Sequence, residues 1–301
     1  MADRRLQVFH AVAKHLSFTK ATEALFMTHP AVTFQIKQLE EHFNTRLFER
    51  GHGRIALTPA GDIVLDYAER ILGLSAELDT RLKEMTGQVA GLLLVGASTT
   101  IAEFLLPQVL GDFKSGHPNV VPRLFVANSG AVENRVAEHT LDIGFIEAPS
   151  HLAAVTTDTC CEDELVVVCA SSHPLAQQKT ITPKQLLEHP YISRESGSGT
   201  REVTDAYFQK AGVRPEALNL VMELGSPEAL KGLVATGVGF TIMSRATVNK
   251  EIRLGELAAL PLSPRLIRNL SVVYPKEKFR SRLVNTFVQF AKERLASRLA
   301  N

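Results

Sequence analysis

Two kinds of hydrophobic patterning divide the chain. Over residues 3–43 apolar side chains recur at three- and four-residue spacing, as on one face of a helix. Leu6, Phe9, Val12 (or Ala13) and Leu16 predict a first helix over 3–16 with these residues inward. Thr19 reads as the N-cap of a short second helix, in which Ala21, Ala24 and Leu25 offer a small apolar face. Met27, Thr28 and His29 leave room only for a turn. Pro30 suits the first turn of a third helix, where its missing N–H costs nothing. There Val32, Ile36, Leu39 and Phe43 fall at i, i+4, i+7 and i+11, one buried stripe. At about 100° per residue Ala31, Phe34, Lys37 and Gln38 face away from it, with Thr33 and Gln35 on the flanks. This is the layout of a helix-turn-helix. From 45 to 57 the text changes to R-L-F-E-R, G-H-G-R and I-A-L. Gly51 and Gly53 permit a hairpin tip between two short strands, a wing carrying His52 and Arg54.

Thr58-Pro59 is a cap followed by proline at the first helical position. The helix it opens runs to about residue 85, some 40 Å at about 1.5 Å per residue. Val64, Ile71, Leu78 and Met85 recur every seven residues, with Tyr67 and Leu74 between them. An amphipathic helix lying on its own domain would have an apolar stripe too. A seam this regular on a charged helix favours a helix pair and a dimer. Residues 87–91, GQVAG, read as a hinge.

From residue 91 the pattern alternates between strand and helix. A fully apolar strand at 92–95 precedes a helix over 101–115, a strand at 122–126, a helix over 131–138 and a strand at 142–146. A second set starts at 164–169, with strands near Tyr191, Val221 and Phe240. A last strand at 268–274 precedes a helix from about Lys278. Such repetition predicts an α/β fold with a parallel sheet covered by helices on both faces.

The 301 residues suggest more than one core, and 45% hydrophobic with 22% charged residues is a globular balance. The net charge of +1 gives no global nucleic-acid signature. Residues 1–58 hold eight Lys and Arg against five acids, so DNA affinity needs several copies per complex. No apolar run approaches the roughly 20 residues that span a bilayer, and MADRRLQVFH has no secretory h-region. The expected location is the cytoplasm. Three cysteines, Cys160, Cys161 and Cys169, exclude a disulfide scaffold.

The text of residues 4–61 resembles the LysR-type transcriptional regulators. It carries, in order, F-x-A-V-A, S-F-T-K-A-T-E-A-L, P-A-V-T-F-Q-I-K-Q-L-E, R-L-F-E-R and L-T-P-A-G. The resemblance extends over the whole chain. It implies a winged helix-turn-helix at 1–58, a linker helix and hinge at 59–90, and an effector-binding region at 91–301. That region would hold two Rossmann-like lobes, 91–162 with 267–301 and 163–266, joined by crossover strands as in periplasmic binding proteins. It also implies double-stranded DNA, a small-molecule effector and RNA polymerase as partners, a homodimer or homotetramer, and no enzymatic activity, metal or cofactor. Thr28, Pro30, Ala31, Thr33, Phe34 and Lys37 would lie in or beside the major groove, with Arg54 on phosphate or in the flanking minor groove. Many relatives carry Arg where Phe34 stands, so either a thymine-methyl contact or packing on the neighbouring helix is expected there.

No H-E-x-x-H, paired-cysteine motif or Walker loop appears. Ser196-Gly-Ser-Gly-Thr200 lacks the spacing of a nucleophile elbow. Redox sensing by Cys160 and Cys169 is weighed against core thiols in a β run, the commoner case. The hydroxyl clusters say more. Ser98-Thr99-Thr100 and Ser196-Gly-Ser-Gly-Thr-Arg201 each follow a strand and open a helix, where backbone N–H groups attract anions. Ordinary capping explains one Ser or Thr per helix, but poorly explains two Gly and three hydroxyls in five residues. Ser129, Glu147 and Ser226 sit at other strand ends, where α/β ligands bind. By resemblance Ser98 and Thr100 match effector-contacting positions, and Ser198 and Thr200 lie in the second lobe's contribution. For Arg201, Glu147 and Ser226 a cap or structural ion pair serves equally well. The expected effector is a small anion between Ser98–Thr100 and Ser196–Thr200. The RESGSGTR segment is similar to the branch that governs sulfur metabolism or carbon fixation.

Overall fold

The computed structural model describes residues 3–51, 54–85, 89–276 and 280–299. The chain divides into two compact units, Met1–Gln88 and Val89–Asn301.

In the first unit, helices α1 (Arg4–His15), α2 (Phe18–Leu25) and α3 (His29–Phe43) precede strands β1 (Phe48–Gly51) and β2 (Arg54–Leu57) and the long helix α4 (Pro59–Met85). Val8, Phe9, Val12, Phe18, Ala21, Val32, Ile36 and Leu39 make the core with Leu47, Phe48 and Ala68. Four expectations fail in and around these helices. The N-cap of α2 is Ser17, whose hydroxyl accepts from Lys20 N at 3.3 Å, so Thr19 lies inside the helix. Leu16 and Phe43 are exposed rather than inward, because the backbone turns left-handed at Leu16 and Asn44 and the helical phase is lost. Ala24 is exposed as well, leaving Ala21 and Leu25 as the inner face of α2.

β1 and β2 pair antiparallel, Phe48 opposite Leu57 and Gly51 opposite Arg54. The expected tip residues His52 and Gly53 lie outside the described residues. Thr58 caps α4 by accepting from Gly61 N at 3.0 Å and donating to Arg46 O at 2.8 Å. Gly61 is glycine because α4 starts against the chain: a Cβ there would lie 2.2 Å from Leu47 O.

The second unit is a mixed sheet of eight strands among the described residues, ordered β4-β3-β5-β10-β6-β9-β7-β8. One lobe is built on β3 (Gly91–Ser98), β4 (Val120–Ala127) and β5 (Ile143–Ile146), with β3 parallel to both others. Helices α5 (Leu106–Gly116) and α10 (Arg282–Leu299) cover one face and α6 (Ser129–Ala137) the other. The helix expected over 101–115 is a π-helical segment, Ile101–Leu105, running into α5. The other lobe holds β7 (Pro190–Arg194), β8 (Asn219–Leu224) and β9 (Phe240–Ser244), packed by α7 (Gly199–Lys210) and α8 (Pro227–Ala235), with the short α9 (Asn249–Arg253) beyond.

Two long strands join the lobes. β6 (Val155–Ala170) and β10 (Leu257–Pro275) run antiparallel through the middle of the sheet and serve both cores. Only these crossover strands break the parallel order expected from the alternation of strand and helix. Gly91 opens β3 with φ +122°, while residues 87 and 88 of the expected hinge lie outside the described residues.

Candidate nucleic-acid interface and effector cleft

In the first unit, the turn between α2 and α3 places Thr28 at the N-cap of α3 and Pro30 in its first turn. Thr28, Pro30, Phe34 and Lys37 are exposed, and Ala31 and Thr33 half-exposed, on the face away from Val32, Ile36 and Leu39. Phe34 is 56% exposed, which speaks against the reading in which it packs on the neighbouring helix. Thr33 Oγ1 lies 3.4 Å from His29 Nδ1, and Lys37 Nζ 3.5 Å from Glu41 on the same exposed face. A pair so solvated leaves the ammonium free to exchange partners. Phe26, which periodicity did not single out, stands 97% exposed in left-handed conformation at the end of α2. Arg54 opens β2, and its side chain lies outside the described residues.

Along α4 the seam differs from the expected heptad. Val64 is half-buried and packs on its own unit's core with Ala60 and Leu65. The exposed apolar stripe runs through Ile63, Tyr67, Ile71, Leu74, Leu78 and Leu82. The side chain of Met85 lies outside the described residues.

The second unit gathers most of the expected effector residues around one buried carboxylate. Ser98 ends β3, Ser129 opens α6, and Glu147 follows β5. Thr200 sits in the first turn of α7, after the Ser198 N-cap. Glu147 Oε1 accepts from Thr100 Oγ1 at 3.3 Å and from Thr200 Oγ1 at 3.2 Å, one hydroxyl from each lobe. Its backbone N–H donates to Ser129 Oγ at 3.4 Å. Its other oxygen lies 2.9 Å from Arg268 Nη2. Arg268, on β10, also donates to Thr200 Oγ1 at 2.9 Å and from Nε to Asp163 Oδ2 at 2.8 Å. Ser244 donates to Asp163 Oδ1 at 2.6 Å. Burial alone would make Arg268 easier to deprotonate, but Glu147 and Asp163 more than reverse that and hold its pKa up.

The two hydroxyl clusters expected to hold an anion between them thus meet at Glu147, itself one of the expected residues. A carboxylate of the protein itself already takes the two threonine hydroxyls. The lobes close around it: Gly130 N donates to Gly197 O at 3.4 Å, and Asn128 Nδ2 to Ser196 O at 3.3 Å. Gly199 permits this, since a Cβ there would lie 2.7 Å from Ser129 Oγ and 2.8 Å from Glu147 Cγ. Ser98 Oγ and Ser198 Oγ are buried with no hydrogen-bond partner in the structure. Such groups are rare and costly unless something binds them.

Three expected residues stand apart from this cluster. Ser226 is exposed and caps α8 by accepting from Ala229 N at 3.3 Å. Arg201 donates to Glu223 and to Arg194 O and lies 3.8 Å from Asp205, a structural ion pair. Ser196 is exposed and contributes only its carbonyl. Conversely, Arg268, Asp163, Ser244 and Asn128 were not singled out by sequence. Asp163 sits in the acidic run Glu162-Asp163-Glu164 and Arg268 beside Asn269, so no local pattern marks either of them.

The cysteines sit in or against the cores of the two lobes. Cys169 is buried, and Cys160 and Cys161 are half-buried on β6. Burial pushes the three thiols up to about 11, 12 and 11 for Cys160, Cys161 and Cys169. Among the described residues, no group of three or more His, Cys, Asp or Glu side chains could hold a metal ion, and no helix is long and apolar enough to cross a membrane.

Residues 4–62 match the family described as "Bacterial regulatory helix-turn-helix protein, lysR family", and residues 86–296 match "LysR substrate binding domain". The chain is 34% identical over 287 residues to the RuBisCO operon transcriptional regulator of Acidithiobacillus ferrooxidans, covering 95% of this chain and 92% of that one. A probable RuBisCO transcriptional regulator of Synechocystis is 32% identical over 289 residues, covering 95% and 84%. Among solved structures, CbnR in complex with its target DNA superposes with a TM-score of 0.70 at 23% identity, over 97% of this chain and 99% of that one. The regulatory domain of Synechocystis CcmR in complex with 2-PG superposes at 0.62 with 28% identity, over 67% and 96%.

Proposed function

The chain belongs to the LysR family of transcriptional regulators, and from that premise we propose that it senses a small acidic metabolite at Glu147 and passes the signal to bound DNA. It is a DNA-binding regulator with an effector-binding domain, and not an enzyme. The observation that carries the choice of an acid is the pair of hydrogen bonds from Thr100 and Thr200 to one carboxylate oxygen. Hydroxyls from both lobes already hold a negatively charged oxygen. An incoming carboxylate or phosphate has the same acceptor chemistry and competes with Glu147 for them, with Ser98 and Ser198 as further donors. Because Thr100 and Thr200 belong to different lobes, replacing Glu147 changes the lobe angle. The effector shifts the equilibrium only by as much as it prefers one arrangement.

The relatives named for RuBisCO operons support a target in carbon fixation, and CcmR makes 2-PG the first compound to test. The exposed stripe of α4 supports a helix pair between two chains. The lobes would pair separately, giving a tetramer, with RNA polymerase as a further partner and the cytoplasm as the location. DNA would be read by Thr28, Pro30, Ala31, Thr33, Phe34 and Lys37, with Arg54 on the backbone.

The test is thermal shift of the full chain with 2-PG, phosphate and sulfate, because a ligand bound only to the native state raises the melting point. The wild type should respond saturably to one of them. Thr100→Ala and Ser198→Ala should each weaken the response while still binding DNA. A full response in both variants would remove the cleft hydroxyls from the effector site.

A further inference from the structure

Behind the cleft, the same two crossover strands carry a second ion pair. Asp163 stands opposite Arg268 in the ladder and Glu164 opposite Ile267. Neighbouring residues of a strand face opposite sides, so Glu164 points away from the Asp163–Arg268 cluster. Between Pro261 and Leu266 the register of β10 shifts, and residues 262–265 leave the ladder. Ile181 holds this bulge, donating to Pro261 O at 3.0 Å and accepting from Ser263 N at 2.8 Å. There Arg265 donates from Nε to Glu164 Oε1 at 2.8 Å.

The bulge forms one wall of a pocket of about 520 Å³. That is within the roughly 300–1,000 Å³ usual for small-molecule sites. Arg245, Arg265 and Glu164 line it, Thr180 and Ser263 add hydroxyls, and Pro261 adds an apolar surface. The lining thus carries two guanidinium groups and one carboxylate. Glu164 is already engaged by Arg265, whose hydrogen bond holds its carboxyl below the usual range. Arg245 has no ion pair or side-chain hydrogen bond among the described residues, so one positive charge in the pocket is unmatched.

We propose that this pocket is a second effector site, taking a small organic anion, a carboxylate or a phosphate monoester, on the forks of Arg245 and Arg265. Guanidinium forks suit either group, since both offer paired acceptor oxygens. The bound anion competes with Glu164 for Arg265. Glu164 is the chain neighbour of Asp163, which holds Arg268, so occupancy of the pocket bears on the strands that join the lobes. The inference does not rest on an acid binding in the cleft.

The test uses the full chain with succinate and with inorganic phosphate as probes, each against sodium chloride at equal ionic strength. Saturable thermal stabilisation by either probe is expected in the wild type and in Thr200→Ala, which alters only the cleft. A response to succinate alone assigns a carboxylate, and one to phosphate alone a phosphate group. Arg245→Gln and Arg265→Gln change exposed side chains and should raise the probe concentration for half-saturation at least tenfold. No saturable response in the wild type, or an unchanged midpoint in both arginine variants, overturns the site.

Discussion

Arg268 and Glu147 meet 2.9 Å apart where β10 passes the end of β5, each side chain only 1% exposed. Asp163 shares the guanidinium at 2.8 Å. Removing the arginine leaves two carboxylates buried without a counter-charge, which costs about 3–5 kcal/mol. Arg268→Met should therefore lower the urea midpoint sharply. Glu147→Gln keeps an acceptor for Thr100 and Thr200 and leaves Arg268 with Asp163, so its loss should stay under about 2 kcal/mol. Equal losses in the two variants would mean that Asp163 and Thr200 do not sustain the arginine alone.

A second buried cation gives a pH signature. Lys231 on α8 lies 2.7 Å from Glu251 and 2.8 Å from Glu228, and donates to Thr247 O at 3.2 Å. Burial opposes its charge, but the two carboxylates outweigh burial and raise its pKa above 10.5. Burial likewise opposes the charge of Glu251, yet Lys231 pulls its pKa below 4.5. The lysine's contribution is complete below 10.5 and lost as pH rises through the raised value. The glutamate's is present above 4.5 and lost as pH falls through the lowered one. The stability difference between wild type and Lys231→Met should be flat from pH 5 to 10 and shrink outside that window, as denaturation at stepped pH would reveal.

The cysteines permit a chemical check. With thiols pushed up to about 11 or above, the thiolate fraction at neutral pH is on the order of one in ten thousand. Folded protein should react slowly with a thiol reagent at pH 7, faster as pH rises, and fully only after unfolding. Operator binding should be unchanged after mild peroxide. Rapid loss of a thiol from folded protein, with altered DNA binding, would restore the redox reading.

For DNA readout, Thr33 and Lys37 share the outer face of α3 but differ in chemistry. Thr33→Ala should weaken specific binding by about 1–3 kcal/mol if the hydroxyl or methyl reads a base. Lys37→Ala should weaken all sequences alike and flatten the salt dependence if the ammonium meets phosphate. Titrations at two salt concentrations on operator and on random DNA separate the two. Unchanged binding in both variants would move the interface off this face.

What the chain discloses before folding is what repeats locally. The three helices of the first unit announce themselves through Val32, Ile36 and Leu39, since one small core fixes a single apolar face. Leu16 and Phe43 mislead because left-handed caps end the periodicity at the residue where it was extrapolated. The two lobes follow from alternating strand and helix. Ser98, Thr100, Ser198 and Thr200 stand out as hydroxyls where strands give way to helices. Arg268 and Asp163 do not, because they lie 105 residues apart and meet only through the register of β6 and β10. Glu147 stands out as a strand-end carboxylate, and its ion pair with Arg268 is one of the two roles weighed for it.

The same distinction decides the α4 seam. A heptad count groups Val64 with Ile71 and Leu78, but Val64 packs on its own unit while Ile71, Leu74 and Leu78 remain exposed. Val64→Ala removes two half-buried methyl groups and should act on folding, lowering stability by roughly 1 kcal/mol without changing the oligomer. Leu74→Asp and Leu78→Asp should do the reverse. They leave the isolated unit intact, because those side chains touch solvent, and break a helix pair, because a carboxylate in an apolar seam is costly. Sedimentation should show smaller particles, and operator affinity should fall as two-site binding is lost. If both aspartate variants sediment as the wild type and bind the operator as tightly, the exposed stripe is not where the chains meet.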